Sequence, residues 1–410
     1  MVKGDVLKEV LKNITPSKED ILKLKNVSDE LIFSLKGEGI KAFLGGSLAK
    51  GTLVLTGEKK DIDIFVVFDS EEEIFKLEKV LNKLNFAGKL RKVHGSRDYF
   101  QIDCPDVLVE VIPVAKNKNP ELAKNVTDVS LSHVKYIING IKKNPALADE
   151  IRLAKAFCRA NKVYGAESYI QGFSGYSLEV LVIYFGGFVR FLKGISKQKI
   201  IDPARHFRNA MEISRELNSS KTEGPVILVD PTHKYRNACA GLRNETFDRF
   251  LKVSTEFLKK PSKKFFEVKE IDVEEIKKLA LKKKALFVEV NLETDRQKGD
   301  VAGTKMKKFF EHFVSELMRK QQKILRKEFD YQRKGQKAKG YLVVQEKKEI
   351  EIRGPSVKMV NAVASFKKAK GNKVFLKKGF WWFKEKISVE DIFKRVEKVG
   401  KEMGAWGKLV

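Results

Sequence analysis

The stretch Leu44–Phe68, LGGSLAKGTLVLTGEKKDIDIFVVF, decides the reading of this chain. An apolar segment, KAFL, ends in Gly45-Gly46-Ser47, and a second apolar run then carries Asp61 and Asp63 one residue apart. Side chains alternate faces along a strand, so these aspartates share one face while Ile62 and Ile64 share the other. Their Cα atoms would lie roughly 6.6 Å apart, close enough for both carboxylates to reach the same metal centre. Two like charges on an apolar sheet are costly without a compensating cation. Hard divalent ions such as Mg²⁺ suit that role, because they prefer carboxylate and phosphate oxygens.

A third acid completes such a site. Glu110 is the only acid inside the apolar run VLVEVIPV. An isolated Asp-x-Asp would more simply be the solvent face of an edge strand. The glycine turn argues otherwise: glycines after a strand let backbone approach a phosphate, Ser47 adds a hydroxyl, and Lys50 adds a cation three residues on. The pattern GGS-x2-KGT-x8-DID, followed by a third acid, therefore points to a metal-assisted nucleotide site with Gly46, Ser47 and Lys50 on the triphosphate.

Bulk composition agrees with a polyanionic partner. The chain has 410 residues, 42% hydrophobic and 33% charged, with a formal net charge of +28, so it reads as globular and multidomain. That excess suits nucleic acid, since Lys and Arg neutralise phosphates and release counterions; a thermophile surface is the alternative source of lysine. Cys104, Cys158 and Cys239 lie far apart without a CxxC, which argues against a disulfide framework or zinc site and fits a cytoplasmic location. The N-terminus lacks a signal-peptide core. The most apolar run, YSLEVLVIYFGGFVRFL, contains Glu179 and Arg190 and reads as a buried helix rather than a membrane span.

Periodicity divides the chain into three parts. Residues 4–37 read as two helices split at Thr15-Pro16, and 41–115 as short strands around one helix, SEEEIFKLEKVLNKL. Residues 130–260 are mostly helical, and Pro261 marks a boundary. Beyond it, ALFVEVNLE, YLVVQEKKEIEIRG and KVFLKKGFWWF read as strands around a lysine-rich helix at 305–328. The expected fold is α+β and multidomain, with an α/β head (1–130), a helical centre (131–260) and a basic α+β tail (261–410).

The head pattern resembles the nucleotidyltransferase superfamily related to DNA polymerase β. The middle narrows this: VYGAE-x-Y-x2-GFSGY-x2-E-x-LVI, beginning at Val163, and VDPTHKYRNACAGL at 229–242 are similar to the class I (archaeal-type) CCA-adding enzymes. The resemblance implies a polymerase β-like head, with Asp61, Asp63 and Glu110 as catalytic ligands of two Mg²⁺ ions. It also implies that Ser47 and Lys50 hold a triphosphate together with His133, Lys155 and Tyr164, and that Arg236 lies near the incoming base. The partners it implies are tRNA, CTP and ATP, with a homodimer formed through the C-terminal part and no membrane. Two residues depart from the family pattern: Lys50 replaces an arginine, losing bidentate geometry, and Glu110 replaces an aspartate.

Taken alone, four of these residues read more simply. Lys155 between Ala154 and Ala156 is a snorkelling lysine, His133 a hydrogen-bonding residue at a helix start, Tyr164 a core aromatic and Arg236 a solvated arginine. GFSGY reads as a structural turn. In the tail, lysines interleave with Phe380, Trp381 and Trp382; the lysines suit RNA phosphates, while the tryptophans read as core. A poly(A) polymerase, a small-molecule nucleotidyltransferase and an inactive RNA-binding scaffold are the competing functions.

Overall fold

A computed structural model describes residues 3–56, 59–84, 86–95, 97–116, 121, 125–295, 299–332 and 336–410. The chain divides into two compact units, one of residues 1–166 and 170–269, the other of 167–169 and 270–410. The division falls just beyond Pro261, and the α/β head and the helical centre lie together in the first unit.

In the first unit, helices α1 (Lys3–Ile14) and α2 (Lys18–Gly37) are separated at Thr15-Pro16, and Ser17 and Asp20 form a reciprocal capping box at the start of α2. Strand β1 (Lys41–Leu44) then runs into the short helix α3 (Gly46–Lys50). Strand β2 (Lys60–Phe68), helix α4 (Lys76–Lys83) and strands β3 (Lys89–Val93), β4 (Tyr99–Asp103) and β5 (Val107–Ala115) follow. The sheet order is β1-β2-β5-β4-β3, with β2 and β5 parallel and the other pairs antiparallel. Alternation in β2 and β5 sends Ile62, Ile64, Val66, Val109 and Val111 into a core with α2 and α4. The opposite face carries the acids and packs Phe65 and Val114 against Val134.

That Val134 belongs to α5 (Ser130–Lys143), which is followed by α6 (Leu147–Ala160), α7 (Gly175–Phe185) and α8 (Phe188–Gly194). After β6 (Ile200–Ile201), α9 (Ala210–Glu216) and α10 (Ser219–Thr222) come β7 (Ile227–Asp230), β8 (His233–Asn237) and α11 (Asn244–Lys259). Phenylalanines 157, 173, 188, 191, 250 and 257 are fully buried here, and α1 contributes Val6, Val10 and Ile14 to the same core. The helical expectation for 130–260 holds for most of the region but misses the three-stranded sheet β6-β7-β8. Its strands have at most five residues, too few to impose a two-residue period on the sequence.

The second unit contains α12 (Val273–Lys282), β9 (Leu286–Glu293), α13 (Gly299–Arg319), β10 (Lys323–Gln332) and β11 (Lys337–Gln345). It continues through β12 (Glu349–Ser356), α14 (Val360–Lys370), β13 (Val374–Lys377), β14 (Phe380–Lys386), α15 (Val389–Met403) and β15 (Trp406–Leu409). One sheet is ordered β10-β11-β9-β15 and the other β12-β14-β13. The helix expected over 305–328 ends at Arg319. Gln321 turns into the left-handed region at φ +59°, and from Lys323 the chain pairs with β11. Lysine, glutamine and leucine favour a helix locally, but strand pairing overrides that weak preference. The run YLVVQEKKEIEIRG likewise splits into β11 and β12.

In the second sheet the aromatics are neither core nor bare surface. Phe380, Trp381, Trp382 and Phe383 are half-buried. Arg353 stacks 3.4 Å from the Phe380 ring centre, and the Lys367 ammonium lies 3.7 Å from that of Trp381. Among the described residues, no helix is long and apolar enough to cross a membrane.

Candidate active site

The acid face follows from strand register. Asp63 on β2 stands opposite Glu110 on β5, and Asp61 opposite Leu108. Parallel neighbours lie roughly 4.8 Å apart with paired side chains on one face, so Asp63 and Glu110 are adjacent and Asp61 lies two residues along. On the far side of Glu110, Gln101 of β4 occupies the same register position and donates from Nε2 to Glu110 Oε1 at 2.8 Å. Asp61 is exposed, whereas Asp63 and Glu110 are half-buried. Burial pushes the Asp63 carboxyl up to about 6, against the pull of Lys50 and with a further push from Asp61.

Gly46 closes over this face with φ at +59°. A Cβ added to it would stand 1.6 Å from Asp63 Oδ2, so only glycine fits. Gly45 is equally constrained: its amide donates to the Asp63 carbonyl at 2.7 Å, and a Cβ there would strike the Phe65 ring at 2.2 Å. The turn that the sequence offers to a phosphate thus also seats the central aspartate. Ser47 follows on α3, half-buried.

Among the described residues, no three His, Cys, Asp or Glu side chains are arranged to hold an ion by themselves. The donor set still fits a hard divalent cation. It consists of oxygen ligands on one sheet face, one of them with a carboxyl raised by desolvation, which is the condition a bound cation relieves.

Lys50 and Lys155 converge on a residue that sequence reasoning did not single out. Glu179, fully buried on α7, accepts from Lys50 Nζ at 2.6 Å on Oε2 and from Lys155 Nζ at 2.7 Å on Oε1. Thr52 Oγ1 donates to the same Oε1 at 2.8 Å and lies 2.9 Å from Lys155 Nζ. Burial alone would raise the Glu179 carboxyl, but Lys155 and Lys50 outweigh it and bring it down to about 2. Lys155 is therefore not a snorkelling surface lysine: it is only 5% exposed and paired. Arg152, one turn earlier on α6, donates to the carbonyls of Gly51 at 2.7 Å and Leu53 at 3.1 Å, which ties α6 to the loop after α3.

A second cluster gathers around Asp230 at the end of β7. Its carboxylate accepts from Arg236 at 2.6 Å, from the Tyr176 hydroxyl at 2.9 Å and from the Thr232 amide at 2.8 Å, and lies 2.9 Å from His133 Nε2. His133 stacks on Tyr176 with ring centres 3.8 Å apart. His133 and Arg236, more than a hundred residues apart in sequence, thus meet through one acid. Against the cost of burial, His133 and Arg236 hold Asp230 well below the usual carboxylate range. Burial lowers the His133 imidazole below its ordinary value, although Asp230 pulls the other way.

Tyr164 follows α6 and bridges to Phe173, with Arg159 stacked 4.7 Å from its ring centre. Its hydroxyl would lie 2.8 Å from a Cβ at Gly175, so the GFSGY turn is packed against this tyrosine. The proposed residues therefore fall into an acid face, a lysine–Glu179 group, an Asp230 group and Tyr164. The missed members, Glu179 and Asp230, did carry a signal: each is an acid at the edge of or inside an otherwise apolar run, where burial demands cationic partners. Gln101 in DYFQID carried none.

Residues 24–132 match the family described as nucleotidyltransferase domain, and residues 149–267 match tRNA nucleotidyltransferase, second domain. The chain is 37% identical over 266 residues to the CCA-adding enzyme of Nanoarchaeum equitans, covering 62% of this chain and 66% of that protein. It is 34% identical to the CCA-adding enzyme of Pyrococcus abyssi and 35% identical to that of Sulfurisphaera tokodaii, each match covering 63% of this chain and 60% of the relative. The chain thus spans less than two thirds of the length of these curated relatives. Crystal structures of the Cid1 poly(U) polymerase superpose with a TM-score of 0.52 at 13% identity, covering 65% of this chain and 98% of that one. A cytoplasmic RNA terminal U-transferase superposes at 0.51, also at 13% identity, over 66% and 99%. These structural likenesses bear on the fold, which is the polymerase β-like one. Through residues 24–267, the chain matches a nucleotidyltransferase domain followed by the second domain of tRNA nucleotidyltransferases, and its sequence is similar to these CCA-adding enzymes.

Proposed function

We propose that this chain adds C, C and A to the 3′ end of tRNA from CTP and ATP without a nucleic-acid template. The observation that carries the reading is the acid face, with Asp63 paired in register against Glu110, Asp61 on the same side and Gly46 closed over them. The tRNA 3′-hydroxyl would attack the α-phosphate of the nucleotide, and pyrophosphate would leave. When bound, two Mg²⁺ ions held by Asp61, Asp63 and Glu110 would acidify the attacking hydroxyl and neutralise charge on the leaving group.

The chain's own residues divide the remaining work. Gly46 and Ser47 would bring backbone and hydroxyl to the triphosphate, and Lys50 and Lys155 would supply ammonium groups beside Asp63. Tyr164 and His133 would complete the triphosphate contacts from the helical side. Arg236, its guanidinium held by Asp230, would face the base.

In this reading residues 1–130 form the catalytic head, 131–260 read the nucleotide and the primer end, and 261–410 grip tRNA through backbone and shape. The cation-stacked aromatics of β14 and the lysines of the tail support the last assignment. Three free, buried cysteines support a reducing cytoplasm. Assembly as a homodimer through the C-terminal part is tested by sedimentation.

The deciding experiment offers each labelled nucleotide to tRNA transcripts ending before the first C, before the second C and before A, with Asp63→Ala as the blank. Ordered incorporation of C, C and A supports the proposal. Runs of A or U on any RNA would replace it with a homopolymer-adding terminal transferase, and no incorporation with wild-type protein would leave an RNA-binding chain.

A further inference from the structure

We infer that Glu179 is a positioning residue for the triphosphate, acting through Lys50 and Lys155; this rests on the nucleotidyltransferase reading of the head. Helix α7 reads GYSLEVLVIYF, and Glu179 is its one charged residue. It is 0% exposed, in a helix whose neighbouring positions are all core. A buried carboxylate in such a run is sustained only by partners that satisfy its charge and lone pairs. Among the described residues, its hydrogen-bonding partners come from the active-site side: Lys50 from α3, Thr52 from the loop after it, and Lys155 from α6.

The charge count is unequal. Two ammonium groups share one carboxylate, so the group carries a net single positive charge beside Asp63, whose carboxyl both lysines stabilise in its charged form. One cation would be enough to neutralise Glu179. The surplus cation suits an anion arriving next to Asp63, and the Glu179 oxygens fix the direction from which each ammonium meets it. Glu179 does not itself touch the nucleotide in this scheme. It spends part of the lysines' charge on orientation, lowering affinity for the triphosphate in exchange for placement in the transition state.

This makes a prediction that a merely structural role does not. Removing the charge with Glu179→Gln makes the group more positive and less ordered. Inorganic tripolyphosphate should then bind severalfold tighter by calorimetry, while kcat for adding A to tRNA ending in CC falls about tenfold or more. KM for ATP should stay level or fall. Glu179→Asp keeps the charge one methylene short, and should show wild-type tripolyphosphate affinity with an intermediate kcat.

Unchanged kcat in Glu179→Gln would overturn the inference. So would joint loss of kcat and tripolyphosphate affinity with a lowered melting temperature, which is the behaviour of a fold defect. If Glu179→Gln does not fold, Glu179→Asp decides: parallel losses of affinity and kcat in that variant reject the positioning role. The tripolyphosphate titration does not depend on which nucleotide is added. Failure of CCA addition by wild-type protein would therefore count against the proposed function, while the tripolyphosphate comparison of wild type with Glu179→Gln would still test the inference: equal or weaker binding by the variant rejects it.

Discussion

Gly46 lies so close to Asp63 that a single added methyl group would stand 1.6 Å from the carboxylate oxygen Oδ2. The glycine turn and the strand aspartate are thus one device: the turn is tight because the carboxylate occupies the space beside it.

Gly46→Ala should therefore act twice. Forcing alanine to φ +59° costs about 1 kcal/mol or more in stability, read as a lower urea midpoint. The displaced Asp63 carboxylate should lower kcat by about 100-fold, the scale on which misplacements of an ångström act. A variant with near-normal turnover would show that the turn yields and Asp63 does not need this seat.

Asp63→Asn should separate activity from stability. Incorporation should fall by at least about 1,000-fold, since the variant loses a charged ligand of the proposed metal site. The fold, however, should gain. An acid whose folded pKa is raised to about 6 destabilises the native state once it ionises. The unfolded side chain ionises near 3.8, so the advantage of asparagine should be absent below that pH, grow between 3.8 and about 6, and level off above. Thermal unfolding of both proteins across pH 3.5–8 measures it (range chosen to bracket roughly both values). An asparagine variant less stable than wild type at neutral pH would contradict the assignment.

Gln101→Leu should weaken the third acid without touching substrate. The amide donor that orients Glu110 is lost, and a hydrogen bond to a charged group contributes about 1.5–3 kcal/mol. Turnover should drop about tenfold, with a higher Mg²⁺ concentration needed for half-maximal rate. Gln101→Glu, which sets a like charge directly opposite Glu110, should be worse than leucine.

Asp230→Asn should loosen His133, Arg236 and Tyr176 together. Removing the acid of a buried charge cluster costs about 3 kcal/mol, measurable by urea unfolding at neutral pH. The sign with pH is opposite to that of Asp63. The Asp230 carboxyl is depressed in the folded state, so its contribution is fully present above the unfolded value of 3.8 and is lost as pH falls below it. The gap between variant and wild type should accordingly close in acid. A gap that does not narrow as pH falls below 3.8 would assign the loss to packing instead.

The head was legible because its signals are local. Strands β2 and β5 of the five-stranded sheet lie on apolar stretches, and Asp61, Asp63 and Glu110 stand out as acids within them. Strand β10 was not legible, because Lys323–Gln332 has the composition of a helix and only its partner β11 makes it a strand. The same holds for β6-β7-β8, where the pairing partner rather than the sequence period defines each short strand.

For the site, the sequence by itself determined which residues carry charge where an apolar core is expected: the two aspartates of DID, Glu110, Glu179 in its apolar helix and Asp230 after ILV. Residue type and two-residue spacing set that much, because strand alternation follows from backbone geometry alone. Only the tertiary structure decided who answers those charges. That β2 and β5 run parallel in the register placing Asp63 beside Glu110, that Lys50 and Lys155 share Glu179, and that His133 and Arg236 share Asp230 are all long-range pairings. No local preference encodes them. They arise because a charge withdrawn from water must find its counter-charge wherever the packed core brings one within reach.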